Sequence, residues 1–334
     1  MNERNAPLVS IRCTAYNHEK YIRDALEGFV MQKTNFKFEA IVHDDASTDN
    51  TAAIIQEYAE RYPKIIKPIF ETENQYSKHD GSLTRIMNAA CKGKYIALCE
   101  GDDYWIDPYK LQKQVDFLES HPDYSMCWTD GFIEMNGKQK AYNRYSENCQ
   151  SPLEDIIANG GDFIPTCSII LRENVIKNMP PKAKGYFCGD YPLQMWSAYI
   201  GKVFYIKEQT CVYRFLTVGS WSYNFSKETK VQRVKHFEDE KNLMEAFNEL
   251  FEYKYNDTFK KREADVLYNL LISAEEYSLA KPYLKLRYKY GKHIDKADAC
   301  KIYGYPNLAK IISLCSKFKR NLITNLRTSA KSQQ

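Results

Sequence analysis

The sequence predicts an α/β fold, a mostly parallel sheet flanked by helices, followed by an α-helical C-terminal extension. Three observations predict it. Short apolar, β-prone runs alternate with amphipathic, helix-length segments through roughly the first 130 residues. Polar clusters follow these apolar runs directly, where open α/β sheets keep their ligands. From about Ser226 the pattern changes to long segments rich in Lys, Glu, Tyr and Leu, punctuated by Pro282, Gly291, Gly304 and Pro306.

The elements follow in order. Residues 8–13 read as a first strand, and a helix opens near Asn17 with Tyr21, Ile22, Ala25, Leu26, Phe29 and Val30 on one face. Residues 38–43 form a second strand that ends in Asp44-Asp45. The next helix carries Ile54, Ile55, Tyr58, Ala59 and Tyr62 as its stripe and is stopped by Pro63. Residues 64–70 make a weaker strand, and Pro68 assigns it to an edge or an irregular segment. A helix over 82–91 leads to a strand over 95–99. A further helix over 108–120, with Asp107 as N-cap and Pro108 as its first residue, leads to a strand over 124–129.

Composition narrows the function. The 334 residues carry a net charge of only +4, dispersed along the chain, with no arginine-rich arm or zinc-finger spacing, which argues against a nucleic-acid partner. No GxGxxG follows the first strand and no GxxxxGK[ST] occurs, so dinucleotide enzymes and P-loop NTPases are disfavoured. The 26 Tyr and 16 Phe suit stacking on sugar rings as well as core packing. The 10 cysteines show no CxxC, and Cys13, Cys99, Cys127 and Cys167 sit in apolar runs, the usage of free thiols in a reducing cytoplasm. The N-terminal residues lack a signal peptide's apolar core, and no run reaches the roughly 20 apolar residues of a membrane span. A cytoplasmic protein is expected. The six histidines show no ligand spacing, so His18, His43 and His79 read as surface or packing residues. The basic segment from Ile311 to Arg327, with Lys317, Lys319 and Arg320, has two readings: peripheral contact with an anionic membrane, or a packed helix with solvated lysines.

The stretch from Tyr95 to Trp105 carries the chemistry. A buried strand delivers two adjacent carboxylates, Asp102 and Asp103, to the sheet edge, where mutual repulsion calls for a positive partner. An oxygen-only site of this kind takes a hard divalent cation, Mg²⁺ or Mn²⁺, that commonly arrives with phosphates. The competing reading is a solvated acidic turn. Three strand ends, at 14–17, Asp44-Asp45 and Asp102-Asp103, share one carboxyl edge in a parallel sheet, which suits a ligand with a base, a ribose and a diphosphate.

Val9-Ser10-Ile11 with Tyr16-Asn17, then Asp44-Asp45-Ala46-Ser47-Thr48-Asp49-Asn50-Thr51, then Gly93-Lys94-Tyr95-Ile96 running into Asp102-Asp103, occur in family order and spacing. Residues 7–221 thereby resemble family 2 glycosyltransferases of the bacterial surface-polysaccharide type, with the Rossmann-like GT-A fold. Ala46 is the one departure from the commoner Asp-Asp-Gly-Ser-Thr-Asp. The resemblance implies a GT-A domain over 1–225, with a nucleotide-sugar half to about 130 and an acceptor half beyond it, and a helical region over 226–334.

It also implies roles. Ala15, Tyr16 and Asn17 line the nucleotide base, and Asp45 accepts the uracil imide N–H. Asp102 and Asp103 are the DxD-type metal pair, with Asp103 the direct ligand and Asp102 nearer the ribose. Arg85 and Arg214 are the candidates for the diphosphate; a structural helix residue and a core-edge ion pair are their respective alternatives. Asp190, ahead of a tryptophan-bearing helix, is the catalytic base, although Asp is also a favoured N-cap. Asp162, Thr166 and Trp221 border the acceptor. The expected reaction is inverting, metal-dependent transfer from a UDP-sugar to a hydroxyl of a glycan or lipid-linked saccharide, in capsule or lipopolysaccharide assembly at the inner membrane face. The rivals are a nucleotidyltransferase, whose glycine-rich basic loop is missing, and a non-catalytic carbohydrate- or nucleotide-binding protein on the same fold.

Overall fold

A computed structural model describes residues 6–184 and 189–313. The chain divides into two compact units, one ending at Lys227 and the other beginning at Glu228.

In the first unit, β1 (Val9–Ala15), β2 (Phe38–Asp44) and β4 (Tyr95–Leu98) are the expected early strands, and β3 (Ile66–Phe70) pairs only with β2. Pro68 therefore lies on an edge, where its missing N–H costs no ladder bond. The sheet order is β3-β2-β1-β4-β9-β6-β10-β5, with β5 (Tyr104–Trp105), β6 (Tyr124–Met135), β9 (Ile169–Arg172) and β10 (Lys202–Arg214). Strands β3, β2, β1 and β4 are mutually parallel, as are β6 and β10, while β9 runs antiparallel between β4 and β6. Parallel pairing puts the carboxyl ends of β1, β2 and β4 on one edge. Two short strands complete the sheet, β7 (Lys138–Ala141) on β6 and β8 (Cys149–Gln150) on β10.

Helices α1 (Ile22–Val30), α2 (Thr51–Arg61), α3 (Ser82–Ala90) and α4 (Lys110–Ser120) flank the early strands. Two of their starts differ from the sequence reading. Asn17 lies at φ 56°, a left-handed conformation outside any α-helix, so α1 waits until Ile22. Pro108 and Tyr109 form a turn in which Asp107 accepts the Tyr109 N–H at 2.9 Å and meets Lys113 at 2.8 Å, so α4 starts at Lys110. Strand β6 runs on to Met135, past the expected end at 129, because β10 continues to pair with it through shifts of register.

The core of this unit is apolar: Val9, Ile11 and Cys13 of β1 meet Ile22, Leu26 and Phe29 of α1 and Ala97 of β4. Trp105 packs edge-on against Phe29, with ring centres 5.1 Å apart. Gly28 lies so close that a Cβ there would stand 2.9 Å from the Trp105 backbone nitrogen. Beneath Trp105, the buried Lys110 ammonium donates to Gln114 Oε1 at 2.6 Å and the Ser168 carbonyl at 3.2 Å; burial lowers its pKa. The eight cysteines among the described residues are free.

The acceptor half adds α5 (Leu153–Asn159), α6 (Glu173–Lys177), α7 (Asp190–Ile200) and α8 (Trp221–Ser226). The second unit is helical: α9 (Lys230–Leu250), α10 (Asn256–Ser273), α11 (Tyr277–Lys289) and α12 (Lys296–Ile302), with a further helical run at 306–313. A Thr229/Gln232 capping box opens α9. Tyr268, Leu271, Ala280, Leu284 and Ile302 form its core, and a buried Arg262–Glu240 pair at 2.7 Å ties α10 to α9. No described helix is long and apolar enough to cross a membrane.

The β1–β4 junction offers a direct check of the packing. Ser10 Oγ accepts the Gly93 N–H at 2.8 Å, and a Cβ on Gly93 would stand 2.4 Å from the Ser10 backbone nitrogen. Gly93→Ala should lower stability by about 2–3 kcal/mol, the cost of overpacking against backbone that has nowhere to move. An unchanged urea midpoint would refute this close approach.

Candidate active site

The floor of the site is the edge where β1 and β2 end. Asn17 accepts the Thr48 N–H at 2.8 Å and donates its own N–H to Ser47 Oγ at 2.9 Å. Two more bonds continue the clasp: His18 N–H to Thr51 Oγ1 at 2.8 Å and Glu19 N–H to Asp49 Oδ2 at 3.1 Å. The polar residues of the 44–51 motif thus brace one strand end to its neighbour. Ala46 sits at φ 61°, which accounts for glycine as the commoner residue at this position.

Of the three residues expected to line a nucleotide base, only Tyr16 presents an open, half-exposed ring. Ala15 is buried; its carbonyl accepts the Asp45 N–H at 2.9 Å, and its methyl abuts the Gly101 turn. Asn17 is engaged in the clasp. Asp45 is buried as well, accepting the Gln75 N–H at 2.6 Å and the Tyr76 N–H at 3.0 Å, so it anchors the loop that leads to α3. Arg85 lies exposed in the first turn of α3 and donates to the Asp80 carbonyl at 2.6 Å, its structural alternative.

At the end of β4, the structure reverses the expected order of the two carboxylates. Asp103 is 1% exposed and accepts the Arg214 backbone N–H at 2.8 Å. Burial, and then the charge of Asp102, push its pKa well above the carboxylate range. A metal ligand must offer an oxygen to open space, and Asp103, enclosed against the Arg214 backbone, does not. Asp102, only partly buried, is the accessible partner; its Oδ2 accepts Thr217 Oγ1–H at 3.1 Å.

Arg214 is corrected too. Its guanidinium donates to the Asp102 carbonyl at 2.9 Å, pairs with Asp24 and Glu134, and lies over the Tyr104 ring at 4.3 Å. With the residue 8% exposed, it is a core-edge ion-pair partner rather than a group reaching toward a diphosphate.

Glu100 belongs to the site and was missed by sequence reasoning. It accepts the Thr14 hydroxyl, and burial raises its pKa against the help of Thr14 and Arg12, with the charges of Asp102 and Asp190 adding to the rise. The available signal was the acid-glycine-acid spacing of Glu100-Gly101-Asp102. Gly101 has no room for a side chain, since a Cβ there would meet Ala15 Cβ and His18 Nδ1 at 2.9 Å. Among the described residues, no three His, Cys, Asp or Glu side chains form a metal cage by themselves. Asp102 and Glu100 instead offer an all-oxygen partial set, which fits a hard cation that takes its remaining ligands from phosphate and water.

The acceptor-half residues converge more closely than the sequence required. Asp162, Thr166 and Asp190 line one cleft of about 250 Å³, together with Tyr142 and Tyr213. Asp190 opens α7; its Oδ2 accepts Thr166 Oγ1–H at 3.0 Å and its Oδ1 accepts the Tyr191 N–H at 2.8 Å. Two bonds hold the helix in place, Tyr191 OH to the Ile157 carbonyl at 2.9 Å and Gln194 Nε2 to the Ile164 carbonyl at 3.1 Å. Burial pushes up the phenol pKa values of Tyr142 and Tyr213. Trp221 does not line this cleft: it opens α8 half-exposed and stacks on Phe225, with centroids 5.2 Å apart.

The family model described as Glycosyl transferase family 2 matches residues 10–178, half of the chain. The chain belongs to this family. A relative, the uncharacterized protein Rv1520 of Mycobacterium tuberculosis, is 37% identical over 220 residues, covering 64% of this chain and 60% of the relative's length. The family fold is shared with solved structures at low identity. TarS 1-349 of S. aureus, in complex with UDP-GlcNAc, superposes with TM-score 0.53 at 17% identity, covering 90% of both chains. The mannosyltransferase PcManGT of Pyrobaculum calidifontis, in complex with GDP-Man and Mn²⁺, superposes with TM-score 0.51 at 15% identity, covering 93% of this chain and 88% of that one. The GT-A architecture expected from the sequence is therefore the one the chain adopts.

If Arg214 is structural, Arg214→Met should lower stability by about 2 kcal/mol, because Asp24 and Glu134 lose the cation between them. A wild-type urea midpoint combined with lost nucleotide binding would instead return Arg214 to the diphosphate.

Proposed function

We propose that this chain is an inverting, divalent-metal-dependent glycosyltransferase that moves a sugar from a UDP-sugar to a hydroxyl of a glycan or lipid-linked acceptor in surface-polysaccharide assembly. The observation that carries the reading is the placement of Asp190. A carboxylate oriented by Thr166 and by the first turn of α7 lines a cleft, within electrostatic reach of Glu100 at the end of β4. Family membership supports the transfer, and the UDP-GlcNAc held by one fold neighbour supports the donor class.

In this mechanism Asp102 and Glu100 hold the cation, whose chemistry when bound is to neutralise charge on the leaving diphosphate. Asp103 stays behind them and fixes the end of β10 through the Arg214 N–H. Asp190 accepts the proton of the acceptor hydroxyl as general base. The acceptor oxygen then attacks the anomeric carbon from the face opposite the nucleotide, and one displacement inverts that centre.

Asp190→Asn should cut turnover by about 10²- to 10⁴-fold, the usual worth of a general base, with donor affinity by calorimetry unchanged. Turnover near wild type in a folded variant would sink the assignment. Asp102→Ala should weaken metal-dependent donor binding by about tenfold or more, the worth of one charged contact. Asp103→Asn, which keeps an acceptor for the Arg214 N–H, should leave the metal titration near wild type; the opposite ranking would restore Asp103 as the ligand.

A further inference from the structure

We propose that the second unit carries a docking surface for an anionic lipid bilayer, formed by the outer face of α11 and residues 303–313. The inference rests on charge and exposure in this unit and does not depend on the glycosyltransferase reading.

Charge in this part of the chain is segregated. Residues 228–276 hold 8 Lys and Arg against 12 Asp and Glu, whereas residues 277–334 hold 13 against 2. An ordinary solvated helix face mixes the two signs; a face that has shed its carboxylates repels itself unless an anionic partner meets it. Helix α11 shows how that charge is arranged. Its inner side carries Ala280, Leu284 and Arg287, all buried in the unit's core. Its outer side carries Lys281, Lys285, Tyr288 and Lys289, at spacings of three and four that stack them along one face. The neighbouring cations are committed elsewhere: Arg287 and Lys292 to Asp265 at 2.7 and 2.6 Å, and Lys301 to Asp298 at 3.3 Å. Among the described residues, Lys281, Lys285 and Lys289 pair with no carboxylate.

Apolar and amphipathic groups accompany these lysines. Tyr288 is 82% exposed. Lys281 lies over the Tyr303 ring at 5.5 Å, joining α11 to the end of α12. The chain then presents Tyr305, 62% exposed, and on the 306–313 helical run Leu308 and Ile311, the latter 57% exposed, beside Lys310. Unpaired lysines, open tyrosines and single aliphatic side chains are what a bilayer interface accepts: ammonium groups at the phosphates, phenol rings at the headgroup boundary, aliphatic carbons below it. No described helix is apolar enough to span, so the contact is peripheral. Of the basic segment 311–327 singled out from the sequence, 311–313 belong to this surface and 314–327 lie outside the described residues.

The test is co-sedimentation of the full chain with phosphatidylcholine vesicles, with and without phosphatidylglycerol. Wild type should sediment with the anionic vesicles only, and added salt should release it. Lys281→Gln/Lys285→Gln/Lys289→Gln should weaken partitioning by about fivefold per lysine, on the order of 100-fold together. Tyr288→Ala, at a side chain too exposed to matter for folding, should weaken it further at a salt concentration where charge is screened. Equal partitioning of wild type and the triple variant would overturn the assignment to α11. Binding of wild type to soluble dextran sulfate without binding to vesicles would overturn the membrane in favour of a soluble polyanion.

Discussion

Carboxylates crowded into one corner impose the constraint on which the first unit depends. Glu100, Asp102, Asp103 and Asp190 act on one another, and burial removes the water that would screen them. The fold answers with N–H and O–H donors: Thr14 on Glu100, Thr217 on Asp102, the Arg214 backbone on Asp103, and Thr166 with the Tyr191 N–H on Asp190. It also answers with one enclosed cation, Arg214, held between Asp24 and Glu134. Burial drives Asp103 well toward its neutral form and raises the pKa of Glu100 as well. The partly exposed carboxyls are Asp102 and Glu100, an arrangement that suits a divalent cation bringing an anionic nucleotide.

The strand ends around this corner serve as scaffold more than their polarity suggests. Ser47, Thr51 and Asp49 satisfy the backbone N–H groups of 17, 18 and 19, the Asn17 side chain satisfies that of Thr48, and Asp45 satisfies those at 75 and 76. Each bond removes an unpaired donor at a place where the chain leaves regular structure, so the loops can be rigid without packing a core of their own. A rigid rim keeps ligand-facing oxygens fixed before any ligand arrives, which lowers the ordering cost of binding.

The second unit rests on different physics. Its helices bury a small aromatic and aliphatic core and tie themselves together with ion pairs such as Arg262–Glu240 and Arg287–Asp265. The carboxylates of α10 are engaged by Tyr290, Lys260, Arg287 and Lys292, and among the described residues the outward lysines of α11 meet no carboxylate.

The sequence by itself determined the order and type of the early elements, the edge position of Pro68, the family, and the gathering of polar residues at one sheet edge. These are local consequences: hydrophobic period fixes helix or strand, proline removes a donor, and parallel pairing carries successive strand ends to the same side. The family resemblance also pointed to Asp190, Thr166 and Asp162, and the fold brings all three to one cleft. Which carboxylate faces out was not. The choice between Asp102 and Asp103 depends on where the Arg214 backbone lies, 111 residues along the chain from Asp103. For Arg214 the sequence left a diphosphate contact and a core-edge ion pair both open until Asp24 and Glu134 came to it from α1 and β6, and Glu100 had no assigned role until Thr14 met it. Burial and long-range hydrogen bonding set those roles, and both exist only once distant segments have packed.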